Sequence, residues 1–219
     1  SADAYALVCR IVREQGDALR RRGEAFTCTV LLEPMLDALG WSRLPQENMP
    51  GNLGTRNRPD YCLFSSDDAF AAATTSADAS TLFRHSATVL EAKKWQHPLD
   101  RMSGKETPGW FPSQQIQDYL NHARDETGRR FFSWAVLTNG NEWRLYTEQA
   151  AVGACFVFHL VHDGQVCAES DFHLFFTLFR AVAFERAEDG SCLLDRVREQ
   201  SLRAQADLET NLRKRIFGV

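Results

Sequence analysis

The stretch FFSWAVLTNGNEWRLYT, Phe131 to Thr147, limits the folds open to this chain more than any other segment. Two runs rich in β-branched and aromatic residues flank Thr138-Asn139-Gly140-Asn141. Asn and Gly tolerate the left-handed backbone of tight turns, so the segment predicts a β-hairpin over Phe131–Leu137 and Glu142–Thr147. ACFVFHLV, closed by Asp163-Gly164, predicts a further strand, and DYCLF and ATVLEA predict two earlier, buried ones. RLPQENMPGNLGTRNRPD is turn-rich and reads as loop or weak edge strand.

Between and around these runs the apolar period lengthens to that of a helix. Leu7, Ile11 and Leu19 predict one helix over Ala2–Arg22. Val30, Leu31, Met35 and Leu39 predict a second over Glu24–Leu39, kinked or restarted at Pro34 and stopped by Gly40. SQQIQDYLNHARDE predicts a third, with Ser113 as N-cap and Ile116, Tyr119, Leu120 and Ala123 on one face. Two more are expected over Asp171–Arg186 and Ser191–Ile216. SSDDAFAAATTSADAS is low in complexity and reads as a flexible surface insertion, within residues 64–87. The order predicts an α/β fold: a central mixed β-sheet flanked by helices, with helices at the C-terminal end.

Composition narrows the function classes. At 219 residues, 44% hydrophobic and 25% charged, the chain reads as globular, one large domain or a domain with an appendage. No apolar run reaches membrane-spanning length and no secretory signal stands at Ser1. The six cysteines are scattered, with no Cys-x-x-Cys pair. That argues against a zinc site and a disulfide framework, so a cytoplasmic protein is expected. A net charge of −4 does not advertise nucleic-acid binding, which would have to rest on a local basic face. Candidates for such a rim are Lys94, Arg101, Lys105, Arg129 and Arg130.

The chemistry concentrates at two strand ends. Pro59-Asp60 opens one strand, and Glu91 and Lys93, two residues apart and so on one side, close the next. If the strands are neighbours, two carboxylates and an amine meet at one edge of the sheet. Paired carboxylates suit Mg²⁺, with Mn²⁺ as substitute, since such ions take oxygen ligands and keep several waters. A lysine beside them can orient water or stabilise charge at phosphorus. That set points to phosphodiester hydrolysis. The plainer alternative is a pair of solvated strand ends, because each motif is short; their placement is what distinguishes them.

RPDYCLF…TVLEAKKW resembles the PD-(D/E)xK nuclease superfamily. GEAFTCTVLLEPMLDALGW is similar to the leading helix of the N-terminal nuclease domains in type I restriction subunits and fused restriction–methylation enzymes. QQIQDYL resembles the Gln-x-x-x-Tyr signature that follows the catalytic lysine there, and AVLTNGNEWRLY resembles the closing strand–turn–strand. The resemblance spans residues 24–146. It implies a restriction-endonuclease-like core and a Mg²⁺-dependent DNA endonuclease of a restriction–modification or phage-defence protein. It implies catalysis by Asp60, Glu91 and Lys93, metal binding by Asp60, Glu91 and Glu24, and substrate contacts from Gln115, Tyr119 and Lys94. Double-stranded DNA is then the expected partner, with a fused or associated methyltransferase or helicase domain, neither of whose motifs the chain carries. A nuclease-like domain over residues 1–165 and a helical extension over 166–219 leading to a further domain are expected. Two alternatives stand beside this reading: a nuclease fold kept for DNA or partner binding with cleavage silent, and a structural domain in which Glu24, Asp60 and Glu91 lie far apart.

Overall fold

The computed structural model describes residues 1–49, 58–75, 78–100, 111–147, 155–162 and 164–217. Six strands form one mixed sheet whose spatial order follows the chain: β1 (Ser42–Pro45), β2 (Tyr61–Phe64), β3 (Thr88–Ala92), β4 (Trp134–Thr138), β5 (Glu142–Thr147) and β6 (Cys155–His159). All neighbours are antiparallel except β3 and β4, which run parallel and are joined through helix α6 (Pro112–His122). A small hairpin of β7 (Val161–His162) and β8 (Gln165–Val166) follows, its second strand unmarked by any apolar run.

Every residue of β2, β3 and β4 is buried, because helices cover both faces of the sheet. On one face α1 (Ala2–Arg21), the helical run from Glu24 to Ala38, and α7 (Glu169–Phe179) enclose Leu63, Leu90, Trp143 and Leu145. On the other, α6 and the pair α4 (Asp67–Thr74) and α5 (Ala79–His85) enclose Phe64, Val89, Ala135 and Leu137.

The run after Gly23 shows how Pro34 is accommodated. It consists of α2 (Glu24–Thr27), a π-helical turn (Cys28–Leu32) and α3 (Glu33–Ala38). Proline lacks an amide hydrogen and its ring collides with the carbonyl one turn back; the wider turn just before Pro34 absorbs both faults without a break. Gly40, at φ +80°, ends the run, and the Trp41 amide closes onto the Leu36 carbonyl at 2.9 Å.

Several expectations need correction. Within residues 64–87, read as a flexible insertion, the described residues carry α4 and α5, and Ala73, Leu82 and Phe83 are buried. Ser66 caps α4 and Asp78 caps α5 through side-chain oxygens. The small residues that lower the complexity are good helix formers that pack closely. Ser113 is not the N-cap of α6: the helix starts at Pro112 with Phe111 before it, proline's fixed φ suiting a first turn, and it ends at His122. The expected helix over Asp171–Arg186 breaks at Arg180, which is extended (φ −68°, ψ 150°), and resumes as a 3-10 turn over Ala181–Phe184.

Beyond residue 166 the chain still builds the core. Phe175 and Phe179 meet Trp143 edge-on at ring distances of 5.3 and 5.6 Å. Leu194, near the start of α8 (Leu193–Phe217), is buried, and Trp134 donates to Asp195 at 2.9 Å. Past Val197 the helix leaves the body: Leu202, Leu208 and Leu212 are 48%, 61% and 47% exposed. Among the described residues no helix is long and apolar enough to cross a membrane.

Candidate active site

The antiparallel register pairs Tyr61 with Leu90, which brings Asp60, just before β2, beside the end of β3. There the Asp60 Oδ2 accepts the Ala92 amide at 2.7 Å, so the carboxylate extends the ladder where the main chain of β2 gives out. Glu91 and Lys93 project from β3 on the same side, and the Lys93 Nζ donates to Glu91 Oε1 at 2.6 Å. The Lys93 amide is itself held by the Thr138 carbonyl at 2.7 Å. The ends of β2 and β3 thus bring the three into one neighbourhood, Asp60 bonded to the main chain of Ala92 and Lys93 to the side chain of Glu91.

Gln115 and Tyr119, one turn apart on α6, join the same group from above the sheet. Tyr119 donates its hydroxyl to Glu91 Oε2 at 3.0 Å, and the Gln115 amide donates to the Tyr119 oxygen at 2.6 Å. Tyr119 is fully enclosed, so its contact runs to Glu91 and not to the surface. Spacing alone puts these two side chains on one face of α6; that the face lies over Glu91 depends on the crossover from β3 to β4.

Burial dominates the electrostatics. It pushes the Glu91 carboxyl up to about 7, opposed by the charge of Lys93 and reinforced by repulsion from Asp60. Burial also raises Asp60, with the Ala92 amide and Lys93 acting against it. For Lys93 burial works against the charge, but Glu91, Glu24 and Asp60 outweigh it and hold the ammonium above its ordinary value. Lys93 thus lies in the field of three carboxylates and bonds to one of them, Glu91.

Glu24, at the start of α2, and Asp60 line one cleft of about 240 Å³ together with Cys28, Glu33, Gln46 and Tyr61. Among the described residues, however, no three His, Cys, Asp or Glu side chains are gathered into a ready-made metal cage. Glu24 enters as a neighbour acting on Lys93, not as a third ligand closed on the same point. Burial drives the Cys28 thiol up to about 12, so it stays protonated and is no nucleophile.

Sequence reasoning passed over Gln46. It holds a left-handed backbone (φ 51°) at the edge of the cleft, and its amide donates to the Asp60 carbonyl at 2.9 Å. No pattern in the sequence marks it; only the pairing of β1 with β2 brings it opposite Asp60. Gln96, in the turn after Lys93, is the other non-glycine at positive φ (57°) among the described residues.

Among the described residues, the members of the expected basic rim lie apart. Lys94 is exposed beyond the end of β3. Because β4 runs parallel to β3, Arg129 and Arg130, which precede β4, lie toward the other end of the sheet, about 15 Å of strand away. Arg101 and Lys105 lie outside the described residues. No protein-family model, no curated protein and no solved structure matches the chain.

Proposed function

We propose that this chain is a Mg²⁺-dependent DNA endonuclease domain of the PD-(D/E)xK type, built on a restriction-endonuclease-like core. Its setting would be a cytoplasmic restriction–modification or phage-defence protein, beside a methyltransferase or helicase domain. The observation that carries the reading is the convergence of Asp60, Glu91 and Lys93 at the ends of two adjacent strands, with Asp60 bonded to Ala92 at 2.7 Å and Lys93 to Glu91 at 2.6 Å.

The donor set fits a hard divalent ion. Two carboxylate side chains from adjacent strand ends offer the oxygen ligands such an ion takes, with Lys93 beside them. Asp60 and Glu91 would hold the ion, with Glu24 across the cleft acting through water. When bound, Mg²⁺ would acidify a water and neutralise charge on the phosphate. Lys93 would orient the attacking water and stabilise negative charge growing at phosphorus as the leaving P–O bond opens. Lys94, exposed one residue on, would contact a neighbouring phosphate of double-stranded DNA. Gln115 and Tyr119 would act on substrate through Glu91.

The test is cleavage of supercoiled plasmid with Mg²⁺ or Mn²⁺ against a chelator control. The expected result is metal-dependent nicking or linearisation, lost in Asp60→Asn, Glu91→Gln and Lys93→Met variants that still melt cooperatively. Undiminished cutting by all three would refute the assignment. A second reading is a silent nuclease fold kept for DNA or partner binding, and one observation favours it: both Glu91 oxygens are already engaged, by Lys93 and by Tyr119. It requires DNA binding with no cleavage and no effect of Mn²⁺ on the melting temperature.

A further inference from the structure

We propose that Tyr119 makes Glu91 a one-oxygen ligand, and that this selects small octahedral cations over Ca²⁺ at the site. The inference rests on the cation-binding reading above and deepens it.

A tyrosine hydroxyl carries one hydrogen. In this site its oxygen accepts from the Gln115 amide at 2.6 Å, which leaves that hydrogen for Glu91 Oε2 at 3.0 Å. The chain Gln115 → Tyr119 → Glu91 therefore has a direction, and each bond polarises the next. It is also sealed: Gln115, Tyr119 and Glu91 are 9%, 0% and 3% exposed. The other carboxylate oxygen, Oε1, faces Lys93, whose side chain is 18% exposed. A cation arriving from solvent meets Glu91 on the Lys93 side and finds a single oxygen to bind.

That asymmetry matters because the two common hard cations use carboxylates differently. Ca²⁺ takes roughly 6–8 oxygens, often both oxygens of one carboxylate. Mg²⁺, and Mn²⁺ in its place, is content with about six ligands, one oxygen per carboxylate and the rest water. A Glu91 tied back by Tyr119 satisfies the second kind of ion and denies the first a ligand. Gln115 and Tyr119 are on this account positioning residues.

Calorimetric titration of the whole chain with MnCl₂ and with CaCl₂ tests this, comparing wild type, Tyr119→Phe and Gln115→Leu. Tyr119→Phe removes one oxygen and keeps the ring, freeing Oε2. The ratio of Ca²⁺ to Mn²⁺ affinity should rise roughly tenfold in Tyr119→Phe, the size expected for freeing one charge-assisted hydrogen bond. Gln115→Leu should move the ratio in the same direction by less, since the hydroxyl remains but is no longer aimed; it carries the test if Tyr119→Phe does not fold. A merely structural role would change both affinities alike, leave the ratio fixed, and overturn the inference while the cation site stands. If the wild-type chain binds neither ion, the cation site itself is refuted and the selectivity with it.

Discussion

Replacing Glu91 by glutamine should make the protein more stable at pH 8 and no more stable at pH 5. Glu91 is 3% exposed, and burial lifts its carboxyl from the ordinary 4.5 to about 7. A carboxyl whose pKa is higher in the folded chain than in the unfolded one favours folding while it is protonated. That contribution is complete below about 4.5, declines as pH rises, and is gone above about 7. At pH 8 the folded protein therefore carries a buried charge costing about 3 kcal/mol relative to the neutral form. Glutamine has the shape of the neutral acid and avoids this cost, though Tyr119 must turn to meet the new amide. The net gain should be about 2 kcal/mol at pH 8, or roughly 4–8 °C in melting temperature for a chain of this size. Denaturant unfolding of both proteins at the two pH values, with chelator present, measures it. An equal difference at both pH values, or a variant less stable at pH 8, would refute the reasoning. The same substitution should abolish metal-dependent cleavage, so stability and activity would move in opposite directions, as at many functional sites.

Two further outcomes follow from the packing. Gly140 sits at φ +83°, and a Cβ there would lie 2.9 Å from both Leu31 and Trp95. Gly140→Ala should cost about 2–4 kcal/mol in equilibrium unfolding; a loss below about 1 kcal/mol would mean that the turn relaxes freely. Leu208, 61% exposed on α8, makes no core contact that would be missed, so Leu208→Glu should shift the melting temperature by less than about 1 °C. A large fall in a thermal melt would show that the helix is packed.

The hairpin of β4 and β5 was legible because its signal is local: Asn139 and Gly140 do their work within a few residues, Asn139 Oδ1 accepting the Asn141 and Glu142 amides at 3.0 and 2.7 Å. The pairing of Asp60 with Glu91 was legible for a related reason, since each marks the end of an apolar run and the two runs proved to be neighbours. What could not be read depends on long-range arrangement. α4 and α5 were hidden because alanine, serine and threonine look alike in a helix and in a loop until Phe83 and Leu82 find a core. The separation of Arg129 and Arg130 from Lys94 could not be read because a parallel crossover, which sends them to the far end of the sheet, leaves no mark in the chain. Tyr119 could be put on a face of α6 by spacing, yet its bond to Glu91 follows only from how α6 lies across the strands. The backbone of Gln46 has no sequence mark at all.

In the proposed site Asp60 and Glu91 would hold a divalent cation for hydrolysis. Diffraction from crystals grown with Mn²⁺, using its anomalous signal, tests it most directly. The result expected is one peak within about 2.0–2.3 Å of an oxygen of each carboxylate, with Lys93 moved off Glu91 Oε1. A peak elsewhere, or none with the Lys93–Glu91 pair intact at 2.6 Å, would contradict the account.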